Sequence, residues 1–154
     1  MISAPPILET AAQWGSIATA IAAVVGVFMA WHQIKESRLS AKESTATNLF
    51  HQSLTLSLQY PRFGDPADLE NFNREDLSQY EWFVSAMLLS CEEILLVTDG
   101  NVEWRNSVKG NLSVHSAYLA VRYNSDYKFK DYYSGDIVDI VKEISDDFKG
   151  STNA

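Results

Sequence analysis

The stretch "WGSIATAIAAVVGVFMAW", residues 14–31, carries no charge and has a tryptophan at each end. Between Glu9 and Lys35 lie 25 residues without Asp, Glu, Lys or Arg. As a helix rising about 1.5 Å per residue they extend about 37 Å, enough to cross a bilayer with some tilt. A core helix of that length normally keeps one polar face. Here only Ser16, Thr19 and the terminal residues interrupt the apolar surface, and hydroxyls in lipid bond back to their own helix. Trp14 and Trp31 stand where interfacial aromatic residues sit. A cleaved export signal is the competing reading, and Ala-x-Ala triplets between Ala18 and Ala22 would suit it. Such signals open on basic residues, however, and "MISAPPILE" has none. The expectation is a single transmembrane anchor in contact with the lipid bilayer. Lys35, Arg38 and Lys42 follow the run and nothing basic precedes it, so the expected topology is N-out with a cytoplasmic C-terminal domain, in a bacterium at the inner membrane.

Within the run, Ala18, Ala22, Gly26 and Ala30 recur every four residues, with Gly15, Thr19 and Ala23 beside them. Small side chains aligned on one face let helix backbones approach closely in lipid. Oligomerisation through this ladder is the expectation; a chance ladder in an alanine-rich span is the alternative.

The remaining chain is globular in composition, with 46% hydrophobic and 12% aromatic residues over the whole sequence. Cys91 is the one cysteine, so no internal disulfide forms, and its place in an apolar segment suits a small buried hydrophobe. Ala46, Phe50, Leu54 and Leu58 continue a helical period out of the anchor until Tyr60-Pro61. "PRFGDPADLENFNRED" reads as a loop, with Asn73 as a cap for the next helix. That helix carries Trp82, Phe83, Met87, Leu88, Leu95 and Leu96, ends in "TDGN", and is the expected centre of the core. A third helix is expected through "VEWRNSVKGNLSVHSAYLAVRY", with Trp104, Val108, Leu112, His115 and Leu119 on one stripe and Gly110 weakening it. "NSDYKFKDYY" reads as loop or short extended chain. Ser134 can cap a last helix whose stripe is Ile137, Ile140, Val141, Ile144 and Phe148. The expected architecture is all-α: residues 1–38 form the anchor and juxtamembrane segment, and residues 39–154 a cytosolic bundle of about four helices.

Enzyme signatures are missing from the sequence: no glycine-rich phosphate loop, no His-Glu-x-x-His, no paired cysteines for zinc and no G-x-S-x-G turn. No catalytic residue, metal or cofactor is therefore expected. Glu92 and Glu93 diverge by about 100° on a helix, so they read as one solvated and one partner-facing charge rather than a catalytic pair.

Charge distribution says more. The chain has 12 Lys plus Arg against 20 Asp plus Glu, net −8, which argues against coating long nucleic acids. Residues 104–133 run against this trend, with 5 basic and 2 acidic side chains, whereas residues 42–103 hold 3 basic and 11 acidic. The basic segment is interleaved with aromatic residues, the mixture with which proteins neutralise phosphates and stack bases. Its candidate ligand-binding residues are Trp104, Arg105, Lys109, His115, Tyr118 and Arg122, with Arg105 and Lys109 one turn apart. Two plainer readings stand beside this: the segment pairs with the acidic face of a neighbouring helix, and His115 is a hydrogen-bonded core histidine.

The single span "WGSIATAIAAVVGVFMAW", the small-residue ladder and a helical domain with one basic segment together resemble, in layout across the full chain, small bacterial membrane effectors of antiviral defence. In particular the layout is similar to CRISPR-associated membrane proteins that bind cyclic tetra-adenylate. That resemblance implies a homo-oligomeric effector whose cytosolic domains bind a cyclic oligonucleotide and rearrange the membrane spans. The alternative is a tethered protein-binding scaffold with no small-molecule ligand. "LFHQSLTLSLQYP" and "WFVSAMLLSCEEIL" also resemble segments of bacterial single-pass proteins with no assigned activity.

Overall fold

The computed structural model describes residues 6–66, 69–126 and 128–152, with side chains described from Thr19 onward apart from Ala20 and Thr152. Every regular element among them is helical. The chain divides into two compact units, Met1–Ala41 and Lys42–Ala154, and α1 (Pro6–Gln59) contributes to both.

In the first unit the described apolar side chains are exposed. Ile21, Val24, Phe28, Trp31 and Ile34 are each at least 53% exposed. Phe28 and Trp31 lie ring to ring at 6.4 Å, and His32 Nδ1 lies 3.4 Å from Glu36 one turn on. Among the described residues no helix is long and apolar enough to cross a membrane. The expected spanning run begins with residues 14–18 and Ala20, whose side chains lie outside the described residues. Of the expected ladder, Ala18 falls there too, while Ala22, Gly26 and Ala30 are exposed and a Cβ added at Gly26 would meet nothing within 4 Å.

The second unit is a helical bundle built around α7 (Gly135–Thr152), which packs on α3 (Arg74–Val97), α4 (Val102–Ser113), α5 (Ser116–Ser125) and the one-turn α6 (Phe129–Tyr132). Ile137, Ile140, Val141 and Ile144 are buried and Phe148 is half-buried, which is the face that the 3.6-residue period marks. Asn73 caps α3: its Oδ1 accepts from the backbone N–H of Glu75 and Asp76, both at 2.9 Å. At the other end Asp99 and Gly100 take positive φ of 51° and 67°, and the Gly100 N–H reaches the Leu95 carbonyl at 2.9 Å, closing the helix. From α1, Ala46 and Ser53 are buried, and Leu49, Phe50 and Leu56 pack on the core.

Several expectations need correction. The third helix is two: the chain breaks at Val114-His115, where the His115 N–H bonds back three residues to the Leu112 carbonyl. Val108, Leu112, His115 and Leu119 are all buried across the break. The expected 61–76 loop contains α2 (Pro61–Gly64) and a 3₁₀ turn, Leu69–Asn71. Phe63 of α2 is a core residue, 6% exposed, with Phe72, Tyr80 and Phe83 around it at 5.8 to 6.0 Å between ring centroids. Gly64 lets α2 approach α1 this closely, since a Cβ there would meet the Ser57 carbonyl oxygen at 3.1 Å and Ser57 Cβ at 3.2 Å. Ser134 does not cap α7 with its side chain: its hydroxyl has no partner, and its N–H donates to Glu92. "FKDY" forms α6, with Phe129 buried against Tyr133 at 4.9 Å. Trp82 and Leu96, expected in the core, are 76% and 58% exposed.

Phe63→Ala is expected to cost about 3–5 kcal/mol, as aromatic truncation in a packed core does, whereas Trp82→Ala is expected to cost under about 0.5 kcal/mol. Denaturant unfolding of the two variants compares them directly. Equal losses would show that Phe63 is not the wedge described.

Candidate functional site

Each candidate in the basic segment already has a protein partner. Arg105 and Lys109 lie one turn apart on α4 and face α7, where Glu143 and Asp147 are also one turn apart. Arg105 pairs with Glu143, and Lys109 reaches Glu143 at 3.2 Å and Asp147 at 3.1 Å. Hydrogen bonds that Lys109 donates to Asp147 and then to Glu143 raise the Lys109 pKa, and the Lys109 contact chiefly lowers that of Glu143. These groups are solvent-exposed, so the pairs fix the local charge pattern more than they stabilise the fold. The Trp104 indole N–H donates to both carboxylate oxygens of Glu43 at 3.3 Å, and its ring meets Phe50 edge-on at 6.0 Å. Arg122 lies 3.8 Å from Asp126.

His115 and Tyr118 belong to a different place. His115 is 1% exposed and shares a 2.8 Å hydrogen bond between its Nδ1 and the Tyr80 hydroxyl. Tyr118 meets the Tyr80 ring edge-on at 5.2 Å. Burial lowers the His115 pKa to about 4, raises that of Tyr118 to about 12, and raises that of Tyr80 still further. The six candidates therefore split: Arg105 and Lys109 converge on Glu143, Trp104 turns to α1, His115 and Tyr118 meet at Tyr80, and Arg122 pairs within its own helix turn. The structure realises the pairing of the basic segment with an acidic helix face and the core role of His115.

Other chemistry-bearing residues are equally committed. Cys91 is fully buried, and burial pushes its thiol pKa up to about 12, far from a thiolate nucleophile. Glu92 accepts the Ser134 N–H while Glu93 is exposed, the division expected of that pair. Among the described residues no cluster of His, Cys, Asp and Glu is placed to hold a metal ion.

The surface feature that stands out is apolar. On α3, Trp82, Ala86, Leu89, Glu93 and Leu96 are all exposed and follow one another at spacings of 4, 3, 4 and 3. Trp82, Leu89 and Leu96 are 76%, 59% and 58% exposed. Of this row the sequence places Trp82 and Leu96 in the core, because the opposite face of α3 is equally apolar. Beside them a cavity of about 330 Å³ opens between α3 and the end of α1. Gln79, Trp82, Phe83 and Ala86 form one wall, and Leu56, Tyr60 and Phe63 form the other. Leu58 and Tyr60 extend the exposed apolar surface at 81% and 50% exposure. Trp82, Leu89 and Leu96 thus form an exposed apolar row next to a concave apolar wall.

The chain matches no protein-family model, no curated protein and no solved structure.

The His115 environment sets a pH dependence. The native residue stays neutral down to about pH 4 while the unfolded residue binds its proton near 6.5. Stability is therefore complete above pH 6.5 and falls as pH drops toward 4, by on the order of 2–3 kcal/mol. Between pH 6.5 and 4.5, above the titration of most carboxylates, unfolding free energy is expected to decline in the wild type. In His115→Gln that slope should be lost. A slope that persists in the variant would assign it to other groups.

Proposed function

We propose that the chain is a membrane-tethered helical interaction module: the run from Trp14 to Trp31 holds it in the inner membrane, N-out, and the helical domain engages protein through the exposed α3 face. The observation that carries this reading is that face, with Trp82, Leu89 and Leu96 solvent-exposed beside an apolar cavity. Support for the tether comes from the 25-residue uncharged sequence between Glu9 and Lys35 and from the exposed apolar side chains between Ile21 and Ile34. Isolated exposed apolar residues are ordinary on a protein surface, but a helix apolar on all sides requires lipid or protein around it.

A second reading is the effector that binds a cyclic oligonucleotide, favoured by the net +3 charge of residues 104–133. It requires phosphate to replace Glu143 and Asp147 as partners of Arg105 and Lys109, and so to overcome pairing already made. The interaction module asks for no such exchange, and on that ground it stands first.

Three measurements test the proposal. Membranes containing the full chain are washed with carbonate; retention is expected, and release would remove the tether. Chemical crosslinking in those membranes then compares wild type with the double variant Trp82→Glu/Leu89→Glu, which alters only exposed positions. Loss of protein adducts with unchanged thermal unfolding is expected, and an unchanged adduct pattern would overturn the assignment of the α3 face. Calorimetry with cyclic tetra-adenylate separates the second reading. Binding that weakens in Arg105→Ala and tightens in Glu143→Gln would put the effector ahead.

A further inference from the structure

Three residues of the first unit share one face of α1 where the uncharged run ends. Trp31, Lys35 and Arg38 stand at i, i+4 and i+7, so they lie within about 60° of one another around the helix axis. All three are exposed, Trp31 at 60%. His32 and Glu36, which meet at 3.4 Å, occupy the next face round, about 100° away. Among the described residues neither Lys35 nor Arg38 has an ion-pair partner. By contrast Lys42, Arg62, Arg105, Lys109 and Arg122 each meet a carboxylate of the second unit. Two like charges three residues apart also repel, a cost that an anion seated between them removes.

Position along the helix decides which anion. The headgroup layer on each side of a hydrocarbon core is about 5–7 Å thick, and interfacial tryptophan rings sit at that level. With Trp31 at the inner edge of the layer, Lys35 stands about 6 Å and Arg38 about 10.5 Å further along the axis. Side chains on a helix lean toward its N-terminus. Where the run from Trp14 to Trp31 lies in lipid, that direction is the membrane side, so both cations lean back into the headgroup layer on long apolar stems. The rest of the chain does not supply this attraction: residues 42–103 hold 11 acidic and 3 basic side chains, which an anionic surface repels. Selection of anionic lipid falls to the two cations at the end of the run.

We propose that Trp31, Lys35 and Arg38 form a headgroup site that holds the phosphate of an anionic phospholipid, with the indole against the glycerol and upper acyl region and the two cations on the phosphate. The proposal rests on the reading of the run as a membrane tether and names the lipid that the tether selects. Zwitterionic lipid carries a phosphate too, but its own ammonium group competes for it. Each juxtamembrane cation favours anionic lipid about fivefold, so the pair enriches it severalfold around Trp31.

The full chain carrying Trp14→Phe, reconstituted in phosphatidylcholine vesicles with a minority of phosphatidylglycerol, tests it. Trp31 is then the only tryptophan of the run, and bromine on the acyl chains of one lipid class quenches it in proportion to how much of that class surrounds it. Brominated phosphatidylglycerol is expected to quench severalfold beyond its share of the lipid. Lys35→Gln/Arg38→Gln is expected to return quenching to the bulk composition, whereas Lys142→Gln, which removes an exposed charge of the second unit, leaves it unchanged. Quenching that follows bulk composition in the parent chain, or enrichment that survives the double substitution, would overturn the headgroup site and leave the tether standing. An equal loss from Lys142→Gln would overturn it as well, by assigning the effect to net charge. Inorganic phosphate added at constant ionic strength is expected to change nothing; if it abolishes the enrichment, the cations take free phosphate rather than a lipid. Chain that stays outside the vesicles, with Trp31 unquenched by either brominated lipid, would remove the tether and the site together.

Discussion

The rotation of α3 about its own axis is fixed by one buried polar contact, the 2.8 Å hydrogen bond between the Tyr80 hydroxyl and His115 Nδ1. Two polar groups held away from water must find each other, because leaving either unpaired costs about 1–3 kcal/mol. Tyr80 is fully buried and His115 nearly so, so neither can turn to solvent. The contact ties the first turns of α3 to the junction between α4 and α5, and Phe63, Phe83 and Tyr118 close around the Tyr80 ring at 5.2 to 6.4 Å. With Tyr80 inward, Val84, Met87, Cys91, Ile94 and Leu95 follow it into the core. Trp82, Leu89 and Leu96 are then turned outward. The exposed face is a consequence of how the core is satisfied.

Much of this is legible in the sequence, and the failures share a physical cause. The buried faces of α7 and of the segment from Val108 to Leu119 follow from period alone, and Asn73 caps as its type and position imply. The break at Val114-His115 escapes because the buried stripe continues across it in phase, so hydrophobic period carries no trace of it. Phe63 escapes because prolines, glycine and aspartates surround it, a composition that marks loops and hides a single aromatic anchor. On α3 two apolar stripes coexist, and period cannot tell which one meets the core. That distinction needs the Tyr80–His115 contact, which joins residues 35 apart. The pairing of the basic segment is half visible: Glu143 and Asp147 show the same four-residue spacing as Arg105 and Lys109, a match that the sequence carries on its face. The anchor and its ladder rest on sequence, with Ala22, Gly26 and Ala30 exposed on α1.

Electrostatics and apolar surface divide the domain between them. The surplus of positive charge in residues 104–133 is met within the fold by Glu143, Asp147 and Asp126, with Lys130 lying 5.0 Å over the Tyr123 ring. Internal pairing of this kind lowers the pull of these residues on an external anion, since binding would have to release a partner first. The outer apolar residues of α3, Trp82, Leu89 and Leu96, stay exposed. Surface that the fold has not already satisfied is where association gains most, because removing it from water contributes roughly 25 cal/mol per Å² with nothing to displace.

The two stripes of α3 differ in what a substitution does to them. Over the 15 residues from Trp82 to Leu96 a straight helix drifts only about 40° from a strict seven-residue repeat, so the outer stripe stays on one side without supercoiling. The inner stripe is anchored by aromatic contacts, a hydrogen bond and full burial, and changes there act on folding. The outer stripe is exposed to solvent, and changes there leave folding nearly untouched. One helix thus holds the domain together with one face and leaves the other exposed, and the two faces can vary independently because Tyr80 sets which face is which.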